Sequence, residues 1–154
     1  MVNKRQRGNA FQDWIEDWII DNFPGASVHN QKTVANKLTL RDKYTGEMKE
    51  VWVSKRNDIL GCIDLLAIIP GKKPLFIQAT LDSGVGRKLQ DLVAVRWPLE
   101  YCRVQLWLKR EDGVIIIKKF TGDALLDIGQ IVRRKYYRLE EGGVANGEHN
   151  KSNS

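Results

Sequence analysis

One carboxylate interrupts an otherwise apolar segment of the chain. Asp64 stands within the run of residues 62–69. The next apolar run, residues 75–80, carries the polar side chains of Gln78 and Thr80 at its end. A carboxylate among apolar side chains is costly unless it is exposed at an edge, paired or bound to a cation. Both runs have the length and composition of β-strands. These residues therefore mark the place where the sequence could do chemistry.

The loop between the two strands decides which polar residues meet. A symmetric hairpin centred on Lys72 would place Asp64 opposite Thr80 and diagonal to Gln78, within about 7–8 Å. Oxygen ligands from Asp64, Gln78 and a backbone carbonyl near Ala79 suit a hard cation such as Mg²⁺. A cation there could bind a phosphate oxygen and lower the pKa of an attacking water. The alternative is a solvated strand end with ordinary polar residues.

Hydrophobic spacing predicts the elements that would position this cluster. On the opposite face of the two strands, the prediction places Ile63, Leu65, Ile77 and Ala79 in the core. The predicted helices and strand pairs are a helix over 9–22, a hairpin of 33–40 and 48–54, a helix over 85–97 capped by Asp82 or Ser83, a strand pair of 103–108 and 114–120, and a last helix over 123–138. The order indicates one α/β (α+β) domain over residues 1–140, with a central mixed β-sheet flanked by helices. Residues 141–154, rich in Gly, Asn and Ser, are expected to be disordered.

Composition limits the class of protein. The chain has 154 residues, of which 42% are hydrophobic and 29% charged, as in one soluble globular domain. No segment approaches the roughly 20 apolar residues of a membrane span, and no secretory signal is recognisable. Two cysteines are too few for a disulfide scaffold and fit a reducing, cytoplasmic setting. The net charge of +6 favours an anionic partner such as nucleic acid, although a merely soluble basic protein would look the same.

Two short motifs resemble those of a nuclease superfamily. The segment from Gly61 to Asp64, followed after a turn by Gln78-Ala79-Thr80, is similar to the PD-(D/E)XK signature. The segment from Arg7 to Gln12 resembles the opening helix of the archaeal-type Holliday junction resolvases. The resemblance covers about residues 5–120. It implies a restriction-endonuclease-like core that binds Mg²⁺, with Mn²⁺ as a substitute.

Three positions depart from that pattern. Gln12 stands where the family has a helix Glu, Gln78 replaces the metal-binding Glu, and Thr80 replaces the lysine that activates water. Fewer carboxylates should weaken metal binding. The helical positions suggest Glu16, one turn from Gln12 on the same flank, as the missing carboxylate.

The missing lysine has a candidate replacement. In the superfamily, migrated lysines come from the helix after the second motif strand, and here Arg87 and Lys88 open that helix. Lys88 flanks the apolar stripe and is the better replacement, whereas Arg87 points outward and is expected to contact phosphate. Both could also be solvated surface cations.

The resemblance implies a Mg²⁺-dependent endonuclease that cuts four-way DNA junctions by metal-assisted hydrolysis. Two symmetric cuts imply a C2 homodimer. The enzyme would be of archaeal or phage type and act in the cytoplasm, which for a phage protein is the host's. Two alternatives stay open, a nuclease-fold DNA-binding protein with weak or no catalysis, and a nuclease with another DNA target. The expected DNA contacts are Arg5, Arg7, Lys55, Arg56 and Arg87.

Overall fold

The chain folds into a mixed sheet with a helix on each face. The computed structural model describes residues 4–32, 34–55, 58–81 and 84–139. The helices are α1 (Lys4–Asn22) and α2 (Val85–Val93). The strands are β1 (Ser27–Asn30), β2 (Val34–Arg41), β3 (Met48–Lys55), β4 (Leu65–Ile68), β5 (Leu75–Leu81), β6 (Arg103–Lys109), β7 (Ile115–Phe120), β8 (Leu125–Val132) and β9 (Lys135–Arg138).

Seven strands form the central sheet in the order β1-β4-β5-β6-β7-β8-β9. β5 and β6 are parallel, and every other neighbouring pair is antiparallel. α2 lies in the connection between the two parallel strands, as a crossover between parallel neighbours requires. The expected mixed sheet flanked by helices is confirmed. The expected hairpin is also present among the described residues, as a separate two-stranded sheet of β2 and β3, while residue 33 lies outside the described ranges.

The two faces of the sheet carry separate hydrophobic clusters. On one face, α1 buries Phe11, Ile15 and Ile19 against strand residues that include Leu65 and Ile77. The spacing of these helix residues, three to four apart, gives α1 one apolar stripe. Ala79 packs against this cluster, so three of the four predicted core residues lie on the expected face.

α2 covers the other face. Its buried Leu92 belongs to a cluster with Cys62, Val104 and Phe120, against which Phe76 packs. Ile63 also belongs to this second cluster, so its predicted place beside Leu65 is wrong. The reason is that the regular strand begins only at Leu65, and alternation does not extend back through residues 62–64.

The hairpin of β4 and β5 has a different register from the predicted one. Leu65 pairs with Ile77 and Ala67 with Leu75, so the hairpin is centred on Gly71 and not on Lys72. A turn at Pro70-Gly71 causes this offset. The N–H of Lys72 donates to the carbonyl of Ile69 at 3.1 Å, and Gly71 has φ 80°, as the third position of a type II turn requires.

The predicted last helix over 123–138 is wrong, because this segment forms the hairpin of β8 and β9. Arg133 and Arg134 have φ 50° and 67°, the left-handed conformation of a two-residue hairpin loop. The loop pairs Val132 with Lys135. In the strand, the buried side chain is Ile131, which joins the α1-side cluster and does not belong to the predicted helical stripe.

The predicted helix over 85–97 is shorter than expected. It ends at Val93, and the indole N–H of Trp97 donates to the carbonyl of Leu92 at 3.0 Å. Its N-cap is Gly84, which has φ 81° and gives no side-chain hydrogen bond. The predicted caps Asp82 and Ser83, and the predicted disordered tail, lie outside the described residues.

No helix within the described ranges combines the length and the apolar character that a membrane span would require.

Candidate metal centre

Asp64 is fixed in the backbone directly before the start of β4. Its backbone N–H donates to the carbonyl of Ile77 at 3.0 Å, and its carbonyl accepts the N–H of Gln31 at 2.8 Å. Its side-chain Oδ2 accepts the backbone N–H of Ala79 at 2.8 Å. The residue is 7% exposed. Asp64 thus lies across from Gln78, and its carboxylate is the acceptor for the next N–H of β5.

The backbone of Ala79 presents a second oxygen to this place. In a β-strand the N–H and C=O of one residue point to the same edge. Because the N–H of Ala79 reaches Asp64, its carbonyl points toward the β4 edge as well. The predicted pairing of Asp64 with Thr80 is wrong, because the observed register is offset by two residues. An offset of two residues keeps the side-chain face, and Asp64 faces Gln78 where Thr80 had been predicted.

Gln78 and Thr80 are buried polar residues on the α2 face of β5. Gln78 is 0% exposed and Thr80 3%. Their neighbours on β6 are apolar, since Gln78 pairs with Leu106 and Thr80 with Leu108. Within the described ranges, neither the Oε1 nor the Nε2 of Gln78 has a hydrogen-bond partner, and neither has the Thr80 hydroxyl. Such groups cost free energy unless an ion or water satisfies them.

α1 runs antiparallel to β5 and brings its first half to the same end of the sheet. The Lys109 ammonium, at the end of β6, lies 6.0 Å from the centre of the Phe11 ring. The Lys72 ammonium, before the start of β5, lies 5.8 Å from that of Phe23. Gln12 follows Phe11 and is 7% exposed, and its Oε1 has no partner among the residues described.

The predicted helix carboxylate Glu16 is held by β1. The Asn30 side-chain amide donates to Glu16 Oε1 and to Asp13 Oδ1, at 3.0 Å each. Asn30 pairs with Leu65, the residue after Asp64. Lys32 forms an ion pair with Asp13 at 3.2 Å. Glu16 therefore lies near the Asp64 end of β4, but its contact is with Asn30.

Charged residues from α2 and from the segment before β4 act on the thiol of Cys62. Burial raises the pKa of Cys62 to about 11, with further increases from the carboxylates of Asp91, Asp58 and Asp64. The Lys88 ammonium acts on the same thiol in the opposite direction. Lys88 on α2 and Asp64 before β4 thus both contribute to the electrostatic surroundings of Cys62.

Asp91 is not among the site residues predicted from the sequence. The signal was its position three residues after Lys88, which places both side chains on one flank of α2. In the sequence, Asp58 is a possible extra carboxylate six residues before Asp64, with a turn residue as the alternative, and in the structure its charge acts on Cys62 together with that of Asp64. These two acidic residues make the surroundings of Lys88 more negative than the sequence motifs alone suggested.

Two of the predicted DNA contacts lie at the site end of the sheet. Arg7 is exposed on the first half of α1, and Arg87 is exposed on the first turn of α2, directly after β5. The side chains of Arg5 and Lys55, and the whole of Arg56, lie outside the described part of the chain.

The oxygen atoms at the Asp64 end of the sheet are compatible with a hard cation, but few of them are charged. Asp64 supplies one carboxylate, Ala79 a carbonyl and Gln78 an amide whose oxygen has no partner within the described ranges. These are ligand types that Mg²⁺ accepts together with water. No group of three His, Cys, Asp or Glu side chains that could hold a metal ion occurs in the part of the chain that the structure describes.

No protein-family model, curated protein or solved structure matches this chain.

Proposed function

We propose that this protein is a Mg²⁺-dependent endonuclease with a restriction-endonuclease-like core of the PD-(D/E)XK type, and that it cuts four-way DNA junctions. One observation carries the proposal. A buried carboxylate, Asp64, is held by the backbone of Ala79 across from Gln78, a fully buried amide whose two polar atoms lack partners within the described ranges. Buried polar atoms without partners often mark a functional site or an ion site.

The ligands of the cation would be the Asp64 carboxylate, the Gln78 amide oxygen and the backbone carbonyl of Ala79 in β5. When bound, Mg²⁺ (or Mn²⁺) would polarise the phosphodiester and lower the pKa of the attacking water. The hydrogen bond from Ala79 fixes the orientation of the Asp64 carboxylate before any cation arrives. A ligand that is already oriented loses little side-chain entropy on binding.

Lys88 supplies positive charge where negative charge develops during cleavage. Its effect on the Cys62 thiol, which Asp64 also influences, supports its placement on this side of the sheet. A preorganised cation at the reacting phosphate would stabilise the transition state. Thr80, at the position of the usual lysine, is buried and uncharged and cannot perform this role.

Substrate DNA is held by phosphate contacts around the site. Arg7 and Arg87 are exposed at the end of the sheet where Asp64 lies, and the chain carries a net charge of +6. Such contacts position a duplex without reading its sequence. Gln12, whose Oε1 has no partner among the described residues, would orient the water from α1, and Glu16 would take part only after releasing Asn30. Two symmetric cuts in a junction require a C2 homodimer, acting in the cytoplasm.

A DNA-binding protein of the same fold without catalysis is the second candidate. The observation that favours it is the small number of acidic groups, since no three candidate side chains converge on a metal within the described residues. In addition, the nuclease superfamily that the chain resembles has ionisable residues at the positions of Gln12, Gln78 and Thr80.

Cleavage of a labelled four-way junction beside a flap and a linear duplex, with and without Mg²⁺, tests the proposal. We expect paired cuts in the junction only when Mg²⁺ is present. Binding of the junction without cleavage under any divalent cation would favour the second candidate. Preferential cleavage of the flap or the linear duplex would show a nuclease with another target.

A further inference from the structure

A second concave site lies at the opposite end of the sheet from Asp64. It is a cavity of about 630 Å³ between the loop after β4, the start of β6 and the end of β7. Cavities of roughly 300–1,000 Å³ are the usual size for small organic ligands. Because Arg103 begins β6 and pairs with Leu75, the first residue of β5, the cavity is separated from Ala79 by four residues along β5.

Four cationic side chains line this cavity: Lys72, Lys73, Arg103 and Lys119. No Asp or Glu side chain is among its lining residues in the described part of the chain. The Arg103 guanidinium donates from Nε and Nη2 to the carbonyl of Lys73 at 3.3 Å each. These contacts use two of its five N–H groups, so the half-buried cation keeps donors for an anion.

Two of these cations, Lys72 and Arg103, lie close enough to repel each other. Burial and the nearby Arg103 guanidinium both lower the pKa of Lys72, and burial lowers the pKa of Arg103. Like charges placed together in a partly buried site raise the free energy of the protein without a ligand. An anion with several oxygens would relieve this repulsion and form charge-assisted hydrogen bonds.

The rest of the wall is apolar. Leu99, Val104, Phe120 and Ile128 line the cavity beside the cations. Val104 and Phe120 are buried and belong to the α2-side cluster, whereas Leu99 and Ile128 are only half-buried. A ligand for this site therefore combines a multiply charged anionic group with an apolar part.

We propose that this cavity binds a free nucleoside diphosphate, with its phosphates on the four cations and its base against the apolar wall. The inference does not depend on nuclease activity, because it uses none of the residues around Asp64.

Calorimetric titration of the full chain with ADP, pyrophosphate and adenosine tests this proposal. We expect ADP to bind at one site per chain and more tightly than either half alone. Lys73→Ala and Lys119→Ala, which change exposed side chains, should each weaken ADP binding by about tenfold, as the loss of one charge-assisted hydrogen bond predicts. Lys43→Ala, an exposed lysine in the turn between β2 and β3, is the matched control and should leave the affinity unchanged.

Three results would overturn the proposal. One is the absence of ADP binding at millimolar concentration; if Lys119→Ala then weakens the binding of junction DNA, the cavity belongs to a DNA-binding surface. Another is pyrophosphate binding as tightly as ADP, which would show that the apolar wall contacts no base. The last is an equal loss of ADP affinity in the Lys43→Ala control, which would indicate general charge attraction.

Discussion

The carboxylate of Asp64 accepts the backbone N–H of Ala79 at 2.8 Å. Asp64 directly precedes Leu65, whose pairing with Ile77 is the regular β4–β5 pair nearest to this contact. This contact joins the motif residue of one strand to the backbone of the next. It orients the carboxylate beside the carbonyl of Ala79 and across from the buried amide of Gln78. The proposed cation site follows from this one relationship.

Replacing Gln78 by the isosteric Met should stabilise the protein and abolish its function. Its two amide atoms are buried without partners within the described ranges, and such a group costs about 1–3 kcal/mol. Urea unfolding in EDTA should therefore show a higher free energy of unfolding for Gln78→Met, while Mg²⁺-dependent cleavage is lost. Gln105→Met is the control, because the Oε1 of Gln105 accepts the indole N–H of Trp107 at 2.9 Å and its loss should destabilise the fold.

Gln78→Glu should strengthen cation binding. The substitution keeps the length of the side chain and adds a charge beside Asp64, and carboxylates bind hard cations more strongly than amides. Calorimetry with Mg²⁺ should show tighter binding than in the parent protein. If neither protein binds Mg²⁺, the oxygens at this end of the sheet do not form a metal site.

Lys88→Ala should reduce the rate of cleavage by about 10²-fold, since removing one preorganised charge from a transition state costs about that much. Arg87→Ala, its exposed neighbour on α2, should mainly weaken DNA binding. Single-turnover cleavage at saturating protein separates the two effects. An unchanged rate for Lys88→Ala would assign the lysine to the surface and leave the metal site intact.

The location of these groups could be predicted from the sequence only in part. The apolar runs predict β4 and β5, and the alternation of side chains predicts that Asp64 and Gln78 share one face. The register could not be obtained, because it depends on Pro70-Gly71 forming the turn, whereas a symmetric loop would turn at Lys72. The two-residue offset preserved the face only because side chains alternate with a period of two.

The C-terminal hairpin shows a different limit of sequence reasoning. Leu125, Ile128 and Val132 have helical spacing, yet the chain turns at Arg133 and Arg134, two residues that rarely adopt positive φ. The Arg134 side chain and backbone are held by α1, where Asp21 accepts from the guanidinium at 3.0 Å and the Trp18 indole donates to the carbonyl at 3.0 Å. These tertiary contacts favour the turn, and local propensity contains no sign of them.

The thermal stability of the protein should fall as pH rises from about 9 to 11. Burial raises the pKa of Cys62 to about 11 from an ordinary value of 9.0, so the unfolded chain loses this proton first. The associated stability is complete below pH 9 and decreases by about 2–3 kcal/mol as the pH reaches 11. Cys62→Ala removes this contribution and should lose less stability over that range. Cys102 and Tyr136, whose pKa values are also raised, remain in both proteins and cancel in the comparison.

DNA affinity should depend strongly on salt. With phosphates bound by Arg7, Arg87 and other cations, the logarithm of the binding constant should fall with the logarithm of salt concentration, by about 0.9 per phosphate contact. Arg87→Ala should reduce this slope by about one contact in fluorescence anisotropy titrations. A slope near zero would contradict a phosphate-binding surface.

The most direct test is single-turnover cleavage of a labelled four-way junction by the parent protein and by Asp64→Asn. Asn retains an oxygen that can accept the N–H of Ala79, so the fold should persist while the charge that holds the cation is lost. We predict Mg²⁺-dependent cleavage by the parent protein, none by Asp64→Asn, and nearly equal binding of the junction by both. Equal cleavage by the two proteins, or no cleavage by the parent protein with Mg²⁺, would contradict the account.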